Sequence, residues 1–244
     1  MDNVFLKSVQ SFITRFPEGR TPCSFFVTGG GFSLLDIGKV PGASKVLADA
    51  YIAYHMLEEI AVLNTVVADH TDKLTNGDIG FVSPWTTYWY ARAMMARHAA
   101  TIPDATICVV NASLTTNRWR RGKNEAFFAV VNRPVDSKDG EVRMFRLDMD
   151  KLEEDEYARI EHQHQIALSG LSDPSQAPLH PITQRRAFED EKVAQVAMGL
   201  LLEDPTLVRL IEHSEAVYPI EIEGDPTNPE SFVPQLDAPW TARP

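Results

Sequence analysis

Three consecutive glycines, Gly29–Gly31, follow a strand-like run, Cys23–Thr28 (CSFFVT), and precede a segment with helical spacing, Phe32–Ile37. Glycines at such a turn let backbone amides approach a phosphate at the positive end of a helix. They serve equally as a tight turn without a ligand. The dinucleotide fingerprint G-x-G-x-x-G would need glycine where Leu34 stands, and no G-x-x-x-x-G-K-[ST] occurs. A hydrolase nucleophile elbow around Ser33 fails in the same way, because Leu35 occupies the second glycine position. The other chemically suggestive stretch is SLTTNRWRRGKNE, residues 113 to 125, which crowds Arg118, Arg120, Arg121 and Lys123 together in an acidic chain. Guanidinium groups suit bidentate contact with phosphate or carboxylate, and Ser113, Thr115 and Thr116 add neutral donors. The plainer alternative is a charged hairpin loop that stays wet. We expect the glycine turn and this loop to close on one anionic ligand.

Metal chemistry has thinner support. His162 and His164 in EHQHQ point about 200° apart on a helix, so they read as solvated. Asp69, His70 and Asp72 form a loop trio of a kind that is common without a metal. With no C-x-x-C present, neither a metal nor a cofactor is expected.

The elements that must position these groups come from a chain of 244 residues, 44% of them apolar, which is enough for a substantial core. Its formal charge of −11 opposes general affinity for nucleic acid or anionic membrane, since both need a broad positive surface. Cys23 and Cys108 lie inside apolar runs and read as small buried hydrophobes of a reducing compartment. At the N-terminus Val4, Phe5, Val9, Phe12, Ile13 and Phe16 recur at helical spacing. That favours an amphipathic first helix in a cytoplasmic protein; a mitochondrial presequence is the alternative, against which Asp2 stands.

Strands are expected at Cys23–Thr28, Val46–Tyr54, Ala105–Asn111, Glu125–Asn132 and Glu141–Leu147, with helices at Met56–Asn64, from Pro84 to about Ala100, and at Asp150–Leu168. Ser83–Pro84 is a strong helix start: the serine oxygen accepts from free amides, and proline's missing N–H costs nothing there. ATICVVN and EAFFAVVN are apolar enough to be covered on both faces, so the fold class is α/β, a layered sandwich. Composition changes at 172, where a proline-rich connector precedes an amphipathic helix, Phe188–Leu202, and a further helix start at Asp204–Pro205. From Pro219 onward there are six prolines and no apolar periodicity, which predicts an extended segment, strapped on or disordered. The expected organisation is thus 1–171 as the α/β domain, 172–218 as a helical appendage and 219–244 as an extended tail available to a protein partner.

In order and spacing these pieces resemble the CinA C-terminal family, which includes nicotinamide-nucleotide amidohydrolases. Its E-S-C-T-G-G, then P-G-[AS]-S, then a segment ending in tyrosine correspond here to TGGG, to PGAS at Pro41–Ser44, and to Tyr54. FVSPWTTYWYARAM and ICVVNASLTTNRWRRGKNEAFFAVV occupy the places of its valine-serine helix start and its strand, glycine loop and strand. The likeness runs from about Cys23 to Leu171. The basic loop is similar to that of a divergent eukaryotic branch, G-S-L-x-T-S-x-x-x-R-G, in which a nucleotidylyltransferase domain is joined to the CinA-like one. The resemblance implies a layered α/β fold, a homodimer and a phosphorylated nucleotide-like ligand held by Gly29, Gly30, Gly31, Ser44, Tyr54, Ser113, Thr115, Arg118, Arg120, Arg121 and Lys123. Trp85, Tyr88 and Trp89, too many rings for one helix face, also favour a dimer.

Departures from that pattern are chemical. Val27 or Phe26, depending on alignment, stands where the family's nucleophilic serine would be, and Glu59 replaces its lysine. No hydroxyl attacks from that position, and the charge that would steady an oxyanion is reversed. The expectation is a binder without the family's deamidase chemistry. The alternatives are an enzyme in which Thr28, Ser44 or Tyr54 takes over the missing roles, and a structural subunit of a complex.

Overall fold

β1 (Cys23–Thr28) lies between two parallel neighbours, β2 (Leu47–Ile52) and β3 (Thr106–Ser113). β4 (Asn124–Asn132), β5 (Glu141–Met149), β6 (Ala216–Glu223) and β7 (Val233–Leu236) continue antiparallel, in the order β2-β1-β3-β4-β5-β6-β7. This is a computed structural model that describes residues 4–67, 71–102, 104–116, 118–132, 141–171, 173, 177–204 and 216–237.

Side chains of β1 alternate between two cores, as the strand period requires. Cys23, Phe25 and Val27 join the cluster that includes Phe5, Val9 and Phe12 of α1 (Val4–Arg15), Leu34 and Ile37 of a 3-10 helix (Phe32–Lys39), and Val193, Ala197 and Leu200 of α6 (Pro181–Leu202). Phe26 turns the other way, onto Ile60 and Leu63 of α2 (Met56–Leu63) and Trp89, Tyr90 and Met94 of α4 (Pro84–His98). β3 and β4 are buried along nearly their whole length, as their unbroken apolar runs demand. The result is an α/β sandwich of helices, sheet and helices. A short α3 (Thr71–Thr75) and α5 (Glu154–Ser169) complete the described helices, and none of these is long and apolar enough to cross a membrane. Ser83 caps α4 as expected, its Oγ accepting from the Thr86 amide at 3.2 Å with Pro84 in the first turn.

The C-terminal third does something its composition does not announce. Helix α6 does not stand apart as an appendage: Val193, Ala194, Val196 and Ala197 are wholly buried in the same core as Phe25 and Phe128. The change at 172 marks a long connection, while the apolar face of the helix is spent on the sheet. The segment expected as an extended tail from Pro219 onward forms, as far as it is described, most of β6 and all of β7 in that sheet, and β6 begins three residues earlier, at Ala216. Between them, the Pro226 carbonyl accepts from the indole N–H groups of both Trp89 (2.8 Å) and Trp85 (3.2 Å), and Phe232 packs near Tyr88. The aromatic surplus on α4 is therefore covered within one chain, so it gives no separate reason for a second subunit. The helix start at Asp204–Pro205 falls partly outside the described residues.

The glycine turn has a packing reason. Gly29 has φ +72°, and a Cβ there would lie 1.8 Å from the Ala112 carbonyl oxygen of β3. Gly31 has φ +85° and faces Val110 in the same way. Gly29→Ala should therefore destabilise the protein by about 3 kcal/mol or more. Gly38→Ala, with open space around it, should change stability by less than about 1 kcal/mol. Urea denaturation of the two variants checks the contrast, and a mild effect at Gly29 would remove this explanation of the turn.

Candidate functional site

The glycine turn and the loop that begins at Leu114 both leave the carboxyl ends of parallel strands, β1 and β3, where open α/β sheets present their crevices. Two adjacent acids on α6 reach these loops. About 100° apart on the helix, they diverge to different targets. Asp190 accepts from the amides of Gly31 (2.6 Å), Phe32 (3.1 Å) and Ser33 (2.7 Å) and from the Ser33 hydroxyl (2.7 Å). Glu189, buried, accepts from the Thr115 amide (2.7 Å), the Thr115 hydroxyl (2.6 Å), the Asn124 amide group (3.1 Å) and Arg185 Nε (3.0 Å). The amides that could cradle a phosphate at the glycine turn are thus already given to a carboxylate of the chain itself. This corrects the expectation that Gly31 and its neighbours bind a ligand through their N–H groups.

One turn earlier on α6, Arg186 spans both loops, donating from Nη1 to the Thr115 carbonyl (2.9 Å) and from Nη2 to that of Gly29 (3.0 Å). It borders a cleft of about 560 Å3 whose walls are Tyr54, Thr115, Thr116, Glu161, His180, Ile182, Thr183 and Arg186. Across the opening Glu161 of α5 meets His180 Nε2 at 2.9 Å, and the His164 and His180 rings lie 4.1 Å apart. Hydrogen bonds from Gln165 and His180 hold the Glu161 carboxyl below its ordinary pKa. Arg120 is held below the usual guanidinium value by burial and by the charge of Arg186, with Glu189 opposing. Arg120 and Arg185 both act on the buried Glu189 carboxylate, while Arg186 forms no ion pair among the described residues and the Glu161 carboxylate on the cleft wall is engaged by His180. A cation so placed favours an incoming anion.

The residues singled out in the sequence divide among several places. Tyr54 and Thr115 reach the cleft, and Gly29 reaches it through its carbonyl bond to Arg186. Ser44 does not: it precedes β2 while Tyr54 follows it, so the strand's length separates them. The cause is the 3-10 helix, which carries the PGAS segment to the amino ends of β1 and β2, near Ile13 of α1. Ser113 ends β3 opposite Glu125. Arg120 is committed to the Leu114 carbonyl at 2.8 Å, and Arg118, Arg121 and Lys123 are exposed on the β3–β4 connection, away from the cleft walls. The expected joint closure of glycine turn and basic loop is replaced by Arg186, which pattern reading missed because Arg185–Arg186 looks like a solvated helix face. The signal was there: Arg185 and Glu189 are an i,i+4 pair directly before the apolar run.

On the opposite face lie two buried polar clusters. Thr28 donates to Glu59 at 2.9 Å and Tyr90 donates to it at 2.8 Å, all three buried. Burial pushes the Glu59 carboxyl up from its ordinary pKa, partly opposed by the bonds from Tyr90 and Thr28. Thr28 therefore faces α2 and α4 rather than the cleft. Farther down β1, Ser24 Oγ meets His98 Nε2 at 2.7 Å and also donates to Asp49. The residue types are those of a hydrolase triad, but both partners converge on the serine. Asp49 lies 3.5 Å from His98 Nε2, and His98 Nδ1 has no partner among the described residues, so no carboxylate orients the imidazole from the nitrogen opposite the serine as a triad requires. Asp69 and His70 lie outside the described residues, and His162 is exposed. Among the described residues no group of three or more His, Cys, Asp or Glu is placed to hold a metal ion.

No family model and no curated protein matches the chain. The solved structures to which it is similar include competence- and damage-inducible proteins. One is CihA from Agrobacterium tumefaciens (TM-score 0.47, 17% identity, covering 68% of this chain and 95% of that one). Others come from Enterobacter asburiae (TM-score 0.45, 14% identity, 83% and 96%) and Klebsiella pneumoniae (TM-score 0.45, 11% identity, 82% and 93%).

Removing the Asp190 carboxylate leaves three amides without their acceptor. Asp190→Ala should lower stability by about 3 kcal/mol, and Asp190→Asn, which keeps one acceptor oxygen, by less. Equilibrium urea unfolding measures both; an alanine variant as stable as the parent would detach the turn from α6.

Glu59 gives a pH signature. Its folded pKa lies above the unfolded value near 4.5, so the folded state keeps a proton that the unfolded chain releases. The associated stability is complete below 4.5 and is lost as pH rises through the folded pKa. Glu59→Gln, permanently neutral, should gain stability relative to the parent as pH increases from about 4.5, a trend that thermal melts across pH will show or refute.

Proposed function

We propose that the chain is a CinA-like α/β protein that binds a phosphorylated, nucleotide-like ligand in the Arg186 cleft and does not carry out the family's deamidation. The order and spacing of TGGG, PGAS, Tyr54 and the valine-serine helix start support the family reading. The observation that carries the ligand reading is Arg186, fixed across two loops at the carboxyl ends of the parallel strands with two further guanidiniums around one acid. A guanidinium already oriented by two carbonyls meets an anion with little further ordering. Tyr54 offers an aromatic surface at the same cleft, suited to a flat ring.

Loss of catalysis is supported by the positions that should react. Phe26 and Val27 are buried on opposite faces of β1, and Glu59 replaces the lysine. Of the hydroxyls considered as substitutes, Thr28 is buried against α2 and Ser44 sits at the far ends of the strands, which leaves only Tyr54 at the cleft.

A thermal-shift screen of nucleotides and sugar phosphates should find the ligand through its stabilisation of the folded protein. Calorimetry should then show Arg186→Ala weakening it by about ten- to hundredfold, the worth of one charge-assisted contact, while Arg121→Ala leaves affinity unchanged. The same preparation should release no ammonia from nicotinamide mononucleotide beyond a no-enzyme control. An Arg186→Ala variant that binds as well as the parent overturns the site, and enzyme-proportional ammonia overturns the absence of chemistry.

A further inference from the structure

The basic loop keeps a feature that the cleft does not use. Thr115 and Thr116, which also wall the cleft, line a second hollow of about 20 Å3 together with Arg118, Trp119, Arg120, Asn124, Lys151, Leu152 and Tyr157. That is room for about one oxygen-sized atom. The Trp119 Nε1 atom is buried and donates to nothing among the described residues. A buried N–H without an acceptor is unusual, because the lost hydration is not replaced. Trp85 and Trp89 show the contrast, since both place their indole N–H on the Pro226 carbonyl.

The charged side chains that line the hollow have one sign, and Glu189, which is bonded to its walls Thr115 and Asn124, is shared with Arg185. Lys151 Nζ stands 4.5 Å over the Trp119 ring, and Arg118 is exposed at the hollow's rim. No carboxylate lines it, and among the described residues neither Arg118 nor Lys151 forms an ion pair. Arg120 is taken up by the Leu114 carbonyl, and Tyr157 by that of Thr116. The carboxylates of the first turn of α5, Glu154, Asp155 and Glu156, stand beyond these walls.

We propose that this hollow is a second anion site, in which one oxygen of a tetrahedral oxyanion such as a phosphoryl group accepts from Trp119 Nε1 while Arg118 and Lys151 hold its charge. The site is independent of the ligand assigned to the Arg186 cleft. The hollow admits a single oxygen and leaves the rest of the group at the surface, so the occupant is a terminal phosphoryl or sulfate group. The chain's net charge of −11 makes a local cationic pocket selective for small anions and keeps polyanions away.

The test follows the indole N–H resonances of the full chain by 15N–1H correlation NMR as inorganic phosphate is added at constant ionic strength against chloride. Trp119→Phe identifies the resonance and keeps the ring. The expected result is a saturable shift of the Trp119 signal at millimolar phosphate. It should be weakened about tenfold or more in Arg118→Ala and in Lys151→Ala, and retained in Arg186→Ala. A signal that does not move, or moves equally with chloride, overturns the proposal. So does a shift indifferent to the Arg118 and Lys151 variants, or one lost in Arg186→Ala, which would place the phosphate in the cleft. Should Lys151→Ala unfold, Lys151→Met keeps the stem over the ring and must weaken binding to the same extent.

Discussion

A peptide amide turned away from water must find an acceptor, and the upper part of this molecule is organised by that requirement. The tight turn after β1 and the loop after β3 each present N–H groups inward, and neither has a strand or helix partner for them. Glu189 and Asp190, side by side on α6, supply the acceptors. Because both carboxylates belong to one rigid helix, the two loops are held in fixed relation to each other. Arg186 then ties their carbonyls together from the same helix. The cleft owes its shape to these links, and its cationic wall to Arg186, whose hydrogen bonds go to neutral carbonyls.

The strands and the cap of α4 were legible because they are local. Alternating or continuous apolar runs bounded by Gly, Pro and Asn name β1, β3, β4 and β5 directly, and Ser83–Pro84 marks a helix start with its own chemistry. What could not be read locally was the use of α6. Asp190 serves a turn 159 residues earlier, and Glu189 a loop 74 residues earlier. In sequence, EDEK in a helix is indistinguishable from a solvated face, so the charged residues that mattered were hidden among ordinary ones. The basic loop differs in the opposite way: its charges are conspicuous in the sequence, and most of them face solvent. The glycines were read correctly as a turn, but the anion they hold is internal.

The layer formed by α2 and α4 shows how an acid is accommodated inside a core. Glu59 is buried between hydroxyl donors from a strand and a helix, and among the described residues it forms no ion pair. A carboxyl there is tolerable when it keeps its proton, and both its oxygens are engaged with hydroxyls that can turn to accept. Burial raises the pKa of that carboxyl, and its two hydroxyl partners make it a buried link between β1, α2 and α4.

The long reach of α6 also bears on how the chain comes to be folded. During synthesis the glycine turn leaves the ribosome well before the helix that holds its counter-charge, and α1 precedes by a similar interval the apolar face it packs against. Until residues 181–202 are made, one side of the growing sheet is bare and its first turn is unsatisfied. Contacts this distant in sequence make for slow, all-at-once closure. The two loops that frame the cleft therefore reach their final arrangement only once residues 181–202 have been made.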